Sequence, residues 1–274
     1  MNNNLMTVGS ADVLTSNYVP LYVAGGSATT KAKSIRISTD SSNWVDSTTG
    51  TGLQANYLGI AYGNNKWVAV GQYASTDKGI QYSTDAFTWQ NANSDFTARY
   101  GVDVQFLNGE FWACGLATSL GQSNLKRSTD GINWTNVNVP NMSATLTIGY
   151  NNGLYVVSGQ SANSNDNLQW SVDGVNWNSS TGQGFQPDSF DNRGIAYGAG
   201  VWVAVGTAVN QVPQESILWS DDGKQWNSAL SGGFGFWSGF DVAFNGSYFV
   251  AVGYGDATNN MILKSLDGKA WTTT

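Results

Sequence analysis

This sequence predicts an all-β fold, a single six-bladed β-propeller with four antiparallel strands per blade. Three observations lead there. A short motif, Ser-x-Asp-x-x-x-Trp, occurs six times at nearly constant spacing along the 274 residues. A second repeated segment, apolar and broken by a turn rich in Asn and Gly, lies upstream of the motif. The composition is rich in glycine, with 33, and only 11% of residues are charged. Few helix formers and many turn formers favour strands joined by tight reversals.

The motif copies are Ser38/Asp40/Trp44, Ser83/Asp85/Trp89, Ser128/Asp130/Trp134, Ser171/Asp173/Trp177, Ser220/Asp222/Trp226 and Ser265/Asp267/Trp271. Successive serines are 45, 45, 43, 49 and 45 residues apart, by subtraction. Gly follows the Asp at Gly131, Gly174, Gly223 and Gly268, while Ser41 and Ala86 stand there in the first two copies. The upstream segment runs from Gly59 to Gly71 in the second copy and from Gly194 to Gly206 in the fifth, and the first copy matches only over Leu21 to Gly26.

Each repeat parses into four strands. Strand A is typified by Ile60 to Tyr62 and strand B by Trp67 to Val70. Strand C is typified by Ile80 to Ser83, and strand D starts at the motif Trp. Asn64-Asn65 and Asn245-Gly246 suit the A–B reversal, because Asn and Gly tolerate positive φ. Four strands at this spacing are the signature of a propeller blade. Strands A and B are nearly continuous apolar runs, as expected where both faces of a sheet are covered. The blades are expected at residues 1–50, 51–94, 95–140, 141–183, 184–231 and 232–274, in one domain over 1–274. Leu5 to Val8 stays open, either in the first blade or paired with the sixth.

Composition removes several function classes. The net charge is −7, and no Lys/Arg cluster is present to neutralise phosphates, which argues against nucleic acid and anionic membranes. Histidine is absent, and with it the commonest general base and zinc ligand. The one cysteine, Cys114, forms no intrachain disulfide. Met1 to Val8 has neither a charged nor an apolar region of the Sec type, and no apolar run is long enough to span a bilayer. The expectation is a soluble chain without a Sec signal.

The Ser-x-Asp-x-Gly-x-x-Trp form resembles the Asp-box repeat of sialidases and related propellers, and the resemblance covers all six copies. It implies a structural turn between strands C and D, one Asp box per blade, away from the active site. The chemistry agrees. An Asp or Ser side chain in a turn accepts nearby backbone N–H groups, and the Trp offers a large apolar wedge. Six calcium sites would be the alternative, but one carboxylate per box, two at Asp221-Asp222, falls short of the six to eight oxygens calcium prefers. No metal or cofactor is expected.

The sialidase resemblance also implies three arginines, a Tyr/Glu nucleophile pair and an acidic Asp. This chain has four arginines, Arg36, Arg99, Arg127 and Arg193, and only Arg99 and Arg193 stand at the starts of strand A. Neither Glu110 nor Glu215 has an evident Tyr partner. Another glycosidase would need two carboxylates roughly 5–9.5 Å apart. Asp103 and Asp241 occupy the same repeat position and are the candidates for such a pair, or for a solvated rim.

Ligands are expected on the longer, irregular D–A and B–C loops, since function sits on variable loops carried by a rigid frame. Those loops combine Asn, Gln, Ser, Thr and Gly with aromatic rings, which suits a sugar or a protein surface. The candidate ligand-binding residues are Tyr57, Phe96, Arg99, Tyr100, Asp103, Phe190, Arg193, Phe236, Trp237 and Asp241. Phe185 and Phe234 lie in the same loops, and for each such ring the alternative is a plug between blades. The repeats also look like those in phage tail and other virion proteins. The leading function is thus a non-catalytic protein binding a glycan or cell-surface receptor. A protein-docking scaffold is the alternative and a glycoside hydrolase the third reading.

Overall fold

Asn and Gly decide where this chain reverses. In the computed structural model Asn64 and Asn65 carry φ of 45° and 57°, and Asn108-Gly109, Asn152-Gly153 and Ala199-Gly200 repeat that left-handed pair. Such turns match the twist of the strands they join. Residues 7–10, 21–26, 34–47, 49–50, 58–72, 78–96, 100–116, 124–189, 192–210, 212–234, 238–254 and 262–274 are described.

The described residues form six sheets. Sheet one contains β1 (Thr7–Ser10), β2 (Tyr22–Gly25), β3 (Ile35–Ser38) and β4 (Val45–Asp46). Sheet two contains β5 (Thr49–Gly50), β6 (Leu58–Gly63), β7 (Lys66–Gly71), β8 (Ile80–Ser83) and β9 (Thr88–Asn91). Sheet three contains β10 (Gly101–Leu107), β11 (Glu110–Gly115), β12 (Leu125–Ser128) and β13 (Thr135–Val137). Sheet four contains β14 (Met142–Asn151), β15 (Leu154–Ser161), β16 (Leu168–Ser171) and β17 (Asn178–Ser179). Sheet five contains β18 (Thr181–Gly182), β19 (Gly194–Gly198), β20 (Val201–Val205), β21 (Ile217–Ser220) and β22 (Gln225–Ser228). Sheet six contains β23 (Gly239–Phe244), β24 (Phe249–Gly253), β25 (Ile262–Ser265) and β26 (Thr272–Thr273).

Each sheet contains an antiparallel meander of four consecutive strands, as the repeat predicts, and sheets two and five add a fifth short strand in parallel. Val8 lies in β1, which pairs with β2 through Thr7↔Gly25 and Ser10↔Tyr22, so this segment is the first strand of sheet one. The only helical segments among the described residues are two four-residue 3₁₀ turns, Ser164–Asn167 and Pro213–Ser216. Among the described residues no helix is long and apolar enough to cross a membrane.

One feature departs from the sequence reading. Three of the five D–A connections, expected to be irregular, begin as a strap. β5 pairs in parallel with β9, placing Gly50 opposite Trp89. β18 pairs in parallel with β22, placing Gly182 opposite Trp226. A single parallel bridge, Ser231↔Ala270, repeats this beside Trp271. The segment leaving one sheet therefore covers the outer edge of the next.

The chain divides into two units, Met1–Thr118 with Gln122–Val137 and Ser119–Gly121 with Asn138–Thr274. Sheets one to three belong to the first and sheets four to six to the second. Within each unit the apolar strands A and B of neighbouring sheets face one another. Val23, Ile37, Ile60, Trp67 and Trp89 form one such core, and Val68, Val70, Val104 and Phe111 the next. In the second unit Val156, Trp202 and Trp226 cluster, as do Val203, Val242, Phe249 and Trp271. The first strands come closest. A Cβ on Gly59 would lie 2.7 Å from the Asp103 Cα, and one on Gly194 would lie 2.8 Å from the Asp241 Cα. Only glycine permits that backbone approach.

Candidate ligand-binding edge

Every sheet has two ends, a turn end and a loop end. At the turn end the six Ser-x-Asp turns share one geometry. The Asp130 Oδ1 accepts the backbone N–H groups of Ile132 and Asn133 at 2.8 and 2.7 Å, and the Ser128 hydroxyl at 2.9 Å. Asp40, Asp85, Asp173, Asp222 and Asp267 make the same three bonds. The residue after the Asp is left-handed in all six, including Ser41 at φ 61° and Ala86 at φ 64°.

These bonds act on the carboxyls. The Asn43 N–H leads the donors that hold Asp40 well below the usual carboxylate range. Asn176 does the same for Asp173. Partial burial pushes Asp130 up, but the Asn133 and Ile132 donors outweigh it and hold the carboxyl at about 2. Asp40, Asp130 and Asp173 also accept the Asn43, Asn133 and Asn176 side-chain amides on the second oxygen, so both oxygens of these three carboxylates serve the turn. Among the described residues no three His, Cys, Asp or Glu side chains cluster in a way that could hold a metal ion.

The loop end has a different chemistry. In the first unit Tyr100 is half-buried, and its hydroxyl accepts the Gln72 Nε2 at 2.8 Å. Asp103, half-buried on β10, accepts Gln105 Nε2 at 3.1 and 3.2 Å. In the second unit Arg193 is half-buried just before β19. Asp241 is exposed on β23, with one carboxylate oxygen accepting the Val242 N–H at 2.8 Å. Asp103 and Asp241 belong to different units, and each is described in its own surroundings. Tyr57, Arg99, Phe190, Phe236 and Trp237 lie outside the described residues.

Phe96 is corrected from a ligand platform to a core residue. It is 2% exposed and packs where a Cβ on Gly115 would meet its ring at 2.6 Å. Phe185 against Gly206 and Phe234 against Gly239 and Gly253 repeat the arrangement, and both are fully buried. A D–A loop Phe thus plugs the notch left by the glycine at the end of strand B. Lys126 helps fix the first plug. Its ammonium lies 5.6 Å from the Phe96 ring centre and donates to Ser94 Oγ and Asn136 Oδ1. Burial pushes its pKa down, with Asp95 partly opposing.

The sequence reading missed a row of neutral hydrogen-bonding groups. Ser189 Oγ lies 2.6 Å from Thr207 Oγ1, which lies 2.7 Å from Ser238 Oγ. Gln160 donates to the Asp188 carbonyl at 3.0 Å and accepts the Ser143 hydroxyl at 3.0 Å. Tyr254 donates its N–H to the Ser238 carbonyl at 2.8 Å, and the residue is 44% exposed. One signal was available. Gln72, Gln160, Thr207 and Tyr254 each follow the glycine that ends the apolar segment of their repeat. A hydroxyl both donates and accepts, so the half-buried Ser189 and Thr207 offer hydrogen-bonding groups of either sense, with the buried Ser238 behind Thr207.

The sheets and their meander order define an all-β protein of repeated four-stranded units. Two solved structures carry a similar fold. One is the computationally designed Ika8 protein, with a TM-score of 0.55 at 10% identity, covering 94% of this chain and 80% of that one. The other is the extracellular domain of BT4673 from B. thetaiotaomicron, described as a one component system. It gives a TM-score of 0.63 at 10% identity over 97% of this chain, which spans about a third of it, 33%. No family model matches the chain, and the comparison with curated proteins returns no match.

Proposed function

We propose that the six sheets are the blades of one Asp-box β-propeller, and that its loop end binds a neutral glycan, as on a cell-surface receptor. The single observation behind the binding site is the hydroxyl row Ser189–Thr207–Ser238, with the exposed Tyr254 joined to Ser238 through its backbone N–H. Sugars present apolar faces that stack on rings and hydroxyls that pair with neutral donors and acceptors. This row supplies both without charge. The low charge of the chain and the resemblance of its repeats to those of virion proteins fit surface recognition. No step of catalysis is invoked.

A glycan array with the intact chain, followed by titration of the best neutral oligosaccharide, tests the reading. The expected result is saturable binding that Tyr254→Ala weakens about five- to thirty-fold, a loss of about 1–2 kcal/mol, with an unchanged melting temperature. Binding that survives both Tyr254→Ala and Thr207→Val would overturn the site. Release of a reducing sugar from any oligosaccharide would overturn the non-catalytic reading.

A further inference from the structure

The loop that carries Ser189 is pinned to sheets four and five. Its Phe185 is fully buried, and the Asn167 side chain donates to the Phe185 carbonyl at 2.8 Å and accepts the Phe185 N–H at 3.1 Å. The Gln186 N–H donates to the Thr207 carbonyl at 2.8 Å. Gln186, Pro187, Asp188 and Ser189 then form a turn, closed by the Ser189 N–H on the Gln186 carbonyl at 3.4 Å. Pro at the second position and a left-handed third residue match a type II turn, which favours Gly or Asn where Asp188 stands at φ 56°. Asp188 is fixed there through both of its backbone groups. Its N–H donates to the Ser161 carbonyl at 2.7 Å, and its carbonyl accepts the Gln160 Nε2 at 3.0 Å.

The Asp188 side chain differs from the six motif carboxylates, which accept donors of their own turns. No hydrogen bond or ion pair among the described residues reaches the Asp188 carboxylate, and the residue is exposed. It stands one position before Ser189, whose Oγ lies 2.6 Å from Thr207 Oγ1, so a charged acceptor adjoins the row of neutral groups. A left-handed residue that keeps a side chain where glycine fits better is a pointer to function. An ionised carboxylate only accepts, and its two oxygens take two donors at once. Hydrogen bonds to a charged acceptor are the stronger kind. Adjacent hydroxyls on a sugar ring are such a pair of donors. A sialic acid, a uronate or a sulfate would meet like charge, which selects against it.

We propose that Asp188 is a specificity-determining residue of the loop end: its carboxylate accepts two adjacent free hydroxyls of a neutral sugar and turns away glycans that carry a carboxylate or a sulfate. The inference rests on the glycan reading of the hydroxyl row and adds the class of sugar to it, one with an unsubstituted vicinal diol. The pinned turn holds the carboxylate in place before the ligand arrives, so little ordering is left to oppose binding.

Asp188→Gly separates the side chain from the turn, because glycine suits the left-handed position. The probes are arrayed neutral oligosaccharides ending in galactose, mannose or glucose, printed beside their sialylated and sulfated forms. The whole chain should bind neutral members and leave their anionic forms unbound. Asp188→Gly should keep or raise the melting temperature and weaken binding of the best neutral probe about tenfold or more. Removing either of two adjacent hydroxyls from that probe should weaken the whole chain about as much and leave Asp188→Gly unaffected. Asp188→Asn should admit the sialylated or sulfated form. Binding that Thr207→Val weakens and Asp188→Gly leaves unchanged overturns this inference and keeps the glycan reading. Equal binding of neutral and anionic forms by the whole chain overturns it as well. An array on which nothing binds overturns both.

Discussion

The turn end and the loop end of these sheets are built from the same repeats, yet they obey different rules. At the turn end six Asp side chains make the same three hydrogen bonds to groups two or three residues away. At the loop end the partners differ from sheet to sheet and lie far apart in sequence: Gln72 with Tyr100, Gln160 with Ser143, Thr207 with Ser189 and Ser238. A geometry closed within one turn is copied intact by repetition. A geometry that needs two connections to meet is free to vary, and variable chemistry on a rigid frame is where binding sites form.

Four substitutions or conditions sharpen that contrast. The largest effect belongs to the motif tryptophans. Trp226→Ala should cost about 3–5 kcal/mol, because the side chain is fully buried and leaves a cavity. Trp134→Ala, at a half-buried ring, should cost clearly less. Urea denaturation of both variants gives the difference, and equal losses would show that the burial of the ring does not set the cost.

Next comes Asp130→Ala. It strands the Ile132 and Asn133 N–H groups and should cost about 1–3 kcal/mol while leaving glycan binding unchanged in folded protein. Loss of binding would give the turn end a function.

Acid should act through the same groups. The folded pKa of each turn Asp is lowered, so the unfolded chain takes up protons first as pH falls. The stability these carboxylates contribute is fully present above the ordinary value of 3.8 and drains away as pH falls towards about 2, the value for Asp130. Denaturation midpoints at pH 5, 3.5 and 2.5 should fall in that order, and less steeply in Asp130→Asn. The smallest effect is a gain. Ser41→Gly relieves an exposed left-handed residue and should stabilise by about 0.5–1 kcal/mol, read as a raised melting temperature.

The repeat was legible because its signals are local. Ser, Asp and Trp mark each turn, and strands such as Ile80–Ser83 fall where the apolar pattern places them. The strap was not legible, since two residues in parallel pairing leave no apolar period. Thr49-Gly50 reads as loop until Trp89 is seen beside it. Phe96 misled for the opposite reason. Its neighbours are polar, so it read as an exposed ring, while the notch that receives it is made by Gly115, nineteen positions later. The hydroxyl row escaped because Ser189, Thr207 and Ser238 meet across three connections, and no spacing along the chain announces it.

The straps also set an order of events during synthesis. Thr49-Gly50 precedes Trp89, Thr181-Gly182 precedes Trp226, and Ser231 precedes Trp271. A ribosome therefore delivers each cover before the strand it covers. The outer strands of sheets two, five and six find their capping segment already made as they emerge, and do not wait for later sequence to shield them from other nascent chains.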